Sequence, residues 1–190
     1  MHETALHIVI LMGSTREQSF GDVVARWFVG RARQHERLEL DVVDLTEAAL
    51  PARLPRGADA SVAAFSKRLQ RADGFVVITP EYNHSFPAPL KQAIDLTGAE
   101  WKAKPVAFVS YGGLSGGLRA VEQLRQVFAE LHTVTVRDTV SIHGARAAFD
   151  ATGLPKAAEA ANAGVDKLLQ SLAWWARSLR EARAAEPYPA

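Results

Sequence analysis

Five short runs along the chain are dominated by apolar and β-branched residues: LHIVILM (Leu6 to Met12), LELDVVDL (Leu38 to Leu45), GFVVIT (Gly74 to Thr79), PVAFVS (Pro105 to Ser110) and TVTV (Thr133 to Val136). Runs of this length predict strands covered on both faces of a parallel sheet. The stretches between them carry apolar residues at helical spacing. They are Val23, Val24, Trp27 and Phe28; Val62, Phe65 and Leu69; Leu90, Ile94 and Leu96; and Val121, Leu124, Val127, Phe128 and Leu131. A last stripe through Val165, Leu168, Leu169, Leu172, Trp175, Ala176 and Leu179 predicts one long amphipathic helix from about Pro155 to Ala184.

Strand and helix alternate five times, the pattern of an open, twisted α/β sheet with helices on both faces. Five strands in one domain favour the flavodoxin-like order 2-1-3-4-5 in a three-layer sandwich. The expectation is a single domain over residues 1–184, with residues 185–190 a loose tail. Ligands in such a fold bind beyond the carboxyl ends of the strands, where strand order reverses. That singles out GSTREQSFG (Gly13 to Gly21), PEYNHSFPAP (Pro80 to Pro89) and YGGLSGG (Tyr111 to Gly117).

The first of these places a glycine, hydroxyl residues and an arginine between a strand and a helix start. Backbone N–H groups and the hydroxyls of Ser14 and Ser19 converge there on a helix N-terminus, and Arg16 adds a forked, permanent cation, a combination suited to a phosphate monoester. The spacing matches neither the Walker loop nor the dinucleotide fingerprint. For a lone serine, capping the helix is the simpler role.

The second segment is stiffened by Pro87 and Pro89 at a helix start and offers Tyr82 as an aromatic wall with a polar tip. The third contains Gly113, Ser115 and Gly117 at the G-x-S-x-G spacing of a hydrolase nucleophile. Asp138 and His143 follow in the required order, yet they lie five positions apart on one segment, and no oxyanion segment precedes them. The glycines instead suit close approach of bare backbone to a flat ring.

Composition narrows the partners. The chain has 190 residues, 48% hydrophobic and 23% charged; 22 basic against 21 acidic residues give a net charge of +1, with no excess field for nucleic acid or an anionic membrane. There are no cysteines, so redox chemistry requires a bound organic cofactor or a non-thiolate metal site. Neither a signal peptide nor a run of ~18 apolar residues is visible, which suits a cytoplasmic enzyme or binding protein without membrane insertion. The six histidines, His2, His7, His35, His84, His132 and His143, show no metal-ligand spacing, and most are expected on the surface or in loops. Of the adjacent Trp174 and Trp175, one is expected to enter the core, with Trp174 half-buried.

GSTR, then TPEYNHSFPAPLKQAID, then W-x-x-KP-V-x-F-V-SYGG-x-SGG-x-RA, in this order, resemble the NADPH-dependent FMN reductase family of flavodoxin-like proteins, which includes quinone, azo-dye and chromate reductases. The resemblance runs from Leu6 to about Val140. It implies that Ser14, Arg16 and Ser19 hold the FMN phosphate, helped by the backbone near Phe20 and Gly21. Pro80, Glu81, Tyr82 and Asn83 would border the isoalloxazine, and Ser110, Gly112, Gly113 and Ser115 its other edge. Many relatives carry arginine where this chain has Ser19, which shifts the phosphate's weight to Arg16.

The resemblance also implies hydride transfer from NADPH or NADH to bound FMN, followed by ping-pong reduction of a small-molecule acceptor: a quinone, an azo compound, free flavin or a metal ion. No protein acid or base is obligatory, and Tyr82 and His84 are the side chains to test near the ring. A homodimer or homotetramer is implied, with Leu114, Trp101 and Phe86 as interface candidates. Two other readings stay open: an FMN-binding electron carrier or regulatory module without nicotinamide turnover, and a protein that reduces free FMN and releases it.

Overall fold

In the computed structural model, which describes residues 4–189, the five strands are all parallel. They are β1 (Leu6–Met12), β2 (Leu38–Asp44), β3 (Gly74–Pro80), β4 (Pro105–Tyr111) and β5 (Val134–Ile142), and they pair in the order β2-β1-β3-β4-β5. Because β1 pairs with both β2 and β3, chain direction across the sheet reverses there. The helices are α1 (Gly21–Ala32), α2 (Ala60–Arg71), α3 (Ala88–Asp95), α4 (Leu118–Glu130), the short α5 (Ala145–Ala148) and α6 (Ala158–Ala185).

Pleat alternation divides the core in two. Ile8, Ile10, Val76, Ile78, Ala107 and Val109 meet α1 and α6 through Val24, Phe28, Leu168 and Leu172. Their neighbours Val9, Leu11, Phe75, Val77, Val106 and Phe108 meet α2, α3 and α4 through Leu69, Leu90, Leu124 and Phe128. Every residue of β3 and β4 is buried, the reason their sequences run apolar without alternation. Lys104, just before β4, is buried as well; its Nζ donates to the Leu69 and Gln70 carbonyls at the end of α2. Among the described residues, no helix is long and apolar enough to cross a membrane.

Three local expectations are corrected. Strand β5 runs to Ile142 rather than Val136, because its outer half alternates polar and apolar residues along the sheet edge. Its register shifts so that Val106 faces Thr135 while Phe108 faces Thr139. Trp101 is not an interface residue: it is fully buried between Phe75 and Phe128, and its indole N–H donates to Thr97. Neither Trp174 nor Trp175 enters the core. Ala176 takes the buried position in that turn of α6, and the two indoles, 58% and 36% exposed, meet edge-to-face at 5.0 Å. His7 sits inside β1 with its ring wedged beside Glu39 and Asp41 of β2, whereas His84 and His143 are exposed and His2 lies outside the described residues. Beyond α6, the Tyr188 hydroxyl bonds His132 at 3.0 Å.

Candidate functional site

The carboxyl ends of β1, β3 and β4 meet around one cavity of about 500 Å³. The loop after β1 contributes Arg16, Gln18, Ser19 and Phe20; the loop after β3 contributes Tyr82. The end of β4 adds Tyr111, Gly112 and Gly113, and the start of α5 closes the far side with Gly144 to Ala147.

Behind the β1 loop, four hydroxyls form a chain. Tyr111 Oη lies 3.2 Å from Ser19 Oγ, Ser19 donates to Ser14 Oγ at 3.0 Å, and Ser14 lies 2.9 Å from Tyr82 Oη. A hydroxyl has one proton to give. With Ser19 donating to Ser14, Tyr111 donates to Ser19, while either hydroxyl can be the donor between Ser14 and Tyr82. Burial pushes the Tyr111 phenol above its ordinary value, with its Ser19 and Ser14 contacts opposing, so it stays protonated at the head of the chain. Ser19 also accepts from the Gly21 N–H at 3.1 Å, at the first residue of α1, whose N-cap position is Phe20. Gly21 has no room for a side chain: a Cβ there would stand 2.5 Å from Tyr111 Oη. Arg16 is exposed in the cavity wall, and among the described residues only its backbone N–H is bonded, to Ser14.

In the PEYN segment, Tyr82 and Ser85 exchange both backbone hydrogen bonds, at 2.9 and 3.0 Å, around Asn83 (φ 49°) and His84 (φ 72°). Two left-handed residues inside such a bond pair make the type I′ hairpin turn. Gln123 of α4 clamps the turn, donating to the His84 carbonyl and accepting from the Ser85 hydroxyl. His84 therefore points out on an exposed tip and does not line the cavity. Glu81 turns away too. Its carboxylate accepts from the Ser115 hydroxyl, the Arg119 backbone N–H at 3.2 Å and the Arg119 guanidinium at 2.9 Å.

That contact decides the G-x-S-x-G question. Ser115 is engaged by a carboxylate rather than by an imidazole base. His143 bonds the Leu114 carbonyl through Nδ1, and Asp138 is held by Ser171 of α6 and Lys167. No triad forms. Gly116 (φ 61°) and Gly117 (φ 87°) serve internal packing, since added Cβ atoms would meet Ser141 Oγ at 2.6 Å and Ser110 Cβ at 2.6 Å. Gly112 and Gly113 do present bare backbone to the cavity.

Of the residues expected at the site, Arg16, Ser19, Phe20, Tyr82, Gly112 and Gly113 line the cavity, and Ser14 and Gly21 stand directly behind it. Pro80, Glu81, Asn83, Ser110 and Ser115 do not line it. Ser110 is fully buried and donates to the Gly116 carbonyl. Sequence reasoning missed Tyr111, Gln18 and Arg146. Alternation could have found Tyr111, which shares the α1 side of the sheet with Ala107 and Val109 while Ser110 faces the other side. Arg146 was hidden by ending β5 six residues early. The donor set fits a phosphorylated aromatic ligand: two guanidiniums, no lining carboxylate, three aromatic rings and bare glycine backbone, within the usual size of a small-molecule site.

A family model described as NADPH-dependent FMN reductase matches residues 6–147. An NAD(P)H-dependent FMN reductase of Schizosaccharomyces pombe is 35% identical over 129 residues, 63% of this chain and 64% of that protein's length. A quinone reductase of Escherichia coli is 33% identical over 138 residues, 69% of this chain and 73% of its own. Among solved structures, the flavoenzyme NAD(P)H:(acceptor) oxidoreductase FerB from Paracoccus denitrificans has the same fold, with a TM-score of 0.74 at 24% identity over 91% of this chain and 98% of FerB.

Proposed function

Because this chain belongs to the NADPH-dependent FMN reductase family, we propose that its cavity holds FMN and that the protein transfers electrons from NADPH or NADH to a small-molecule acceptor. The observation that carries this reading is the meeting of the loops after β1, β3 and β4 around one cavity with no lining carboxylate. When bound, FMN supplies the redox chemistry, taking hydride from the nicotinamide and giving electrons to the acceptor.

The chain's own residues bind and orient. Arg16 takes the phosphate as a forked cation, and Ser19 and Ser14 hold the loop that carries it through the hydroxyl chain. Tyr82 sets its hydroxyl at the ring's polar edge, held in place by Ser14 and the hydroxyl chain behind it. Gly112 and Gly113 let backbone approach the opposite edge. Glu81, Asn83, Ser110 and Ser115 act at one remove, by fixing the loops. A single cavity serves nicotinamide and acceptor in turn, the arrangement for ping-pong order. Quinones, azo compounds, free flavin and metal ions are the acceptor classes for a site selected by access and potential. A second copy of the chain would cover the rim, where Leu114 is 91% and Leu118 45% exposed, and the cytoplasm supplies the reduced nicotinamide.

The test is a visible spectrum of the purified protein, then anaerobic titration with each nicotinamide. Flavin absorbance bleached by NADPH or NADH supports the reductase. Reduction only by a partner protein would make this an electron carrier, and a colourless protein that cannot be reconstituted with FMN would end the reading.

A further inference from the structure

The cavity carries a second arginine on the side opposite the β1 loop. Arg146 lies in α5, after β5, and lines the cavity together with Arg16. No ion pair or hydrogen bond engages its guanidinium among the described residues; its contact is with the face of Phe20, 5.6 Å from the ring centroid. Phe20 is itself held edge-to-face against Phe149 at 5.5 Å, so the platform under the guanidinium is fixed. A guanidinium stacked on a ring keeps its in-plane N–H donors free at the edge, where they can meet an anion.

Charge points the same way. Two guanidiniums share one small cavity, and no aspartate or glutamate lines it. Asp22, in the first turn of α1, acts on Tyr111 from outside the lining. Like charges held together without a counter-ion are stabilised by a divalent anion, and a phosphate monoester carries nearly two charges at neutral pH.

We propose that Arg146 is a second phosphate-monoester ligand of this cavity, closing from the α5 side on a phosphate that Arg16 approaches from the β1 side or on one brought in by the reductant. The proposal rests on the reading that the cavity holds FMN. Two phosphate monoesters can reach it, the 5′-phosphate of FMN and the 2′-phosphate that distinguishes NADPH from NADH, and the same variant separates them.

Apo-protein is titrated with FMN and with riboflavin by flavin fluorescence, and the flavin-loaded protein is assayed with NADPH and NADH, for wild type, Arg146→Gln and Arg146→Lys. If the FMN phosphate is the ligand, R146Q weakens FMN roughly 10- to 100-fold, the range for losing a charged hydrogen bond, and leaves riboflavin unchanged. If the NADPH phosphate is the ligand, FMN affinity holds while the KM for NADPH rises by a similar factor and that for NADH does not. R146K, keeping charge but losing the fork, restores part of either effect. An R146Q protein with unchanged FMN-to-riboflavin and NADPH-to-NADH ratios overturns the proposal and leaves the FMN reading standing. Wild type that binds neither flavin overturns both.

Discussion

The Glu81 carboxylate bolts the loop after β3 to the loop after β4, accepting from the Ser115 hydroxyl while the Arg119 guanidinium closes on its other oxygen at 2.9 Å. The bolt joins two walls of the cavity without entering it. Burial pushes the Glu81 carboxyl up, but its bonds to Ser115 and Arg119 outweigh that and hold it below the ordinary 4.5 of a glutamate. A carboxyl lowered in the folded state gives stability that is complete above its unfolded pKa and is lost as pH falls through the folded one.

Flavin retention should therefore weaken in acid as Glu81 protonates, at pH values below 4.5. Glu81→Gln should lose about 1–3 kcal/mol of stability at neutral pH and remove that acid-dependent component. Urea midpoints and flavin fluorescence from pH 3 to 7 check both. An unchanged acid profile in the variant would show that the loops are held by other contacts.

Gly21→Ala puts a methyl 2.5 Å from the Tyr111 hydroxyl and 3.0 Å from Ser19 Oγ. Tyr111 is packed in the core and cannot swing clear, so an overpacking loss of about 1–3 kcal/mol is expected. The same shift breaks the hydroxyl chain, and FMN should be retained less well. Thermal melts with and without added FMN separate the two effects.

Arg16→Ala should behave differently. Among the described residues the exposed Arg16 side chain makes no hydrogen bond or ion pair, so the apo-protein should melt within about 0.5 kcal/mol of wild type, while FMN affinity falls roughly 10- to 100-fold. Equal FMN retention after dialysis would remove Arg16 from the site.

Lys104 predicts a rise in stability in alkali. Burial, with a smaller contribution from Arg183, lowers its ammonium from 10.5 to about 8, against the opposing pull of Asp73 and Glu100. The unfolded chain then holds this proton more tightly than the folded one, so the group's contribution to stability rises with pH between about 8 and 10.5. Lys104→Met should lack this rise. The wild-type minus variant difference in unfolding free energy should grow by up to about 3 kcal/mol across that window, and urea melts at pH 7, 8, 9 and 10 measure it.

Sheet order and the place of the loop after β1 at the cavity were legible because they rest on local signals. Continuous apolar runs mark strands that are covered twice, and the glycine, hydroxyl and arginine residues of one nine-residue loop act within that loop. The glycine segment was legible only in outline. Gly112 and Gly113 face the cavity, whereas Gly116 and Gly117 are glycines because Ser141 and Ser110 lie against them. Linear spacing does not distinguish these cases.

By itself the sequence determined the five-strand alternation, the helix stripes and which three turns carry polar chemistry, because burial periodicity and turn residues act over a few positions. Only the tertiary structure decided that Glu81 faces Ser115 instead of the cavity, that Tyr111 and not Ser110 reaches it, that Trp101 is core while Trp174 is surface, and that Arg146 arrives from beyond β5. Each of these depends on which sheet face or neighbouring element a side chain meets, as Glu81 meets Ser115 across 34 positions of chain, and such meetings are set by packing rather than by local pattern.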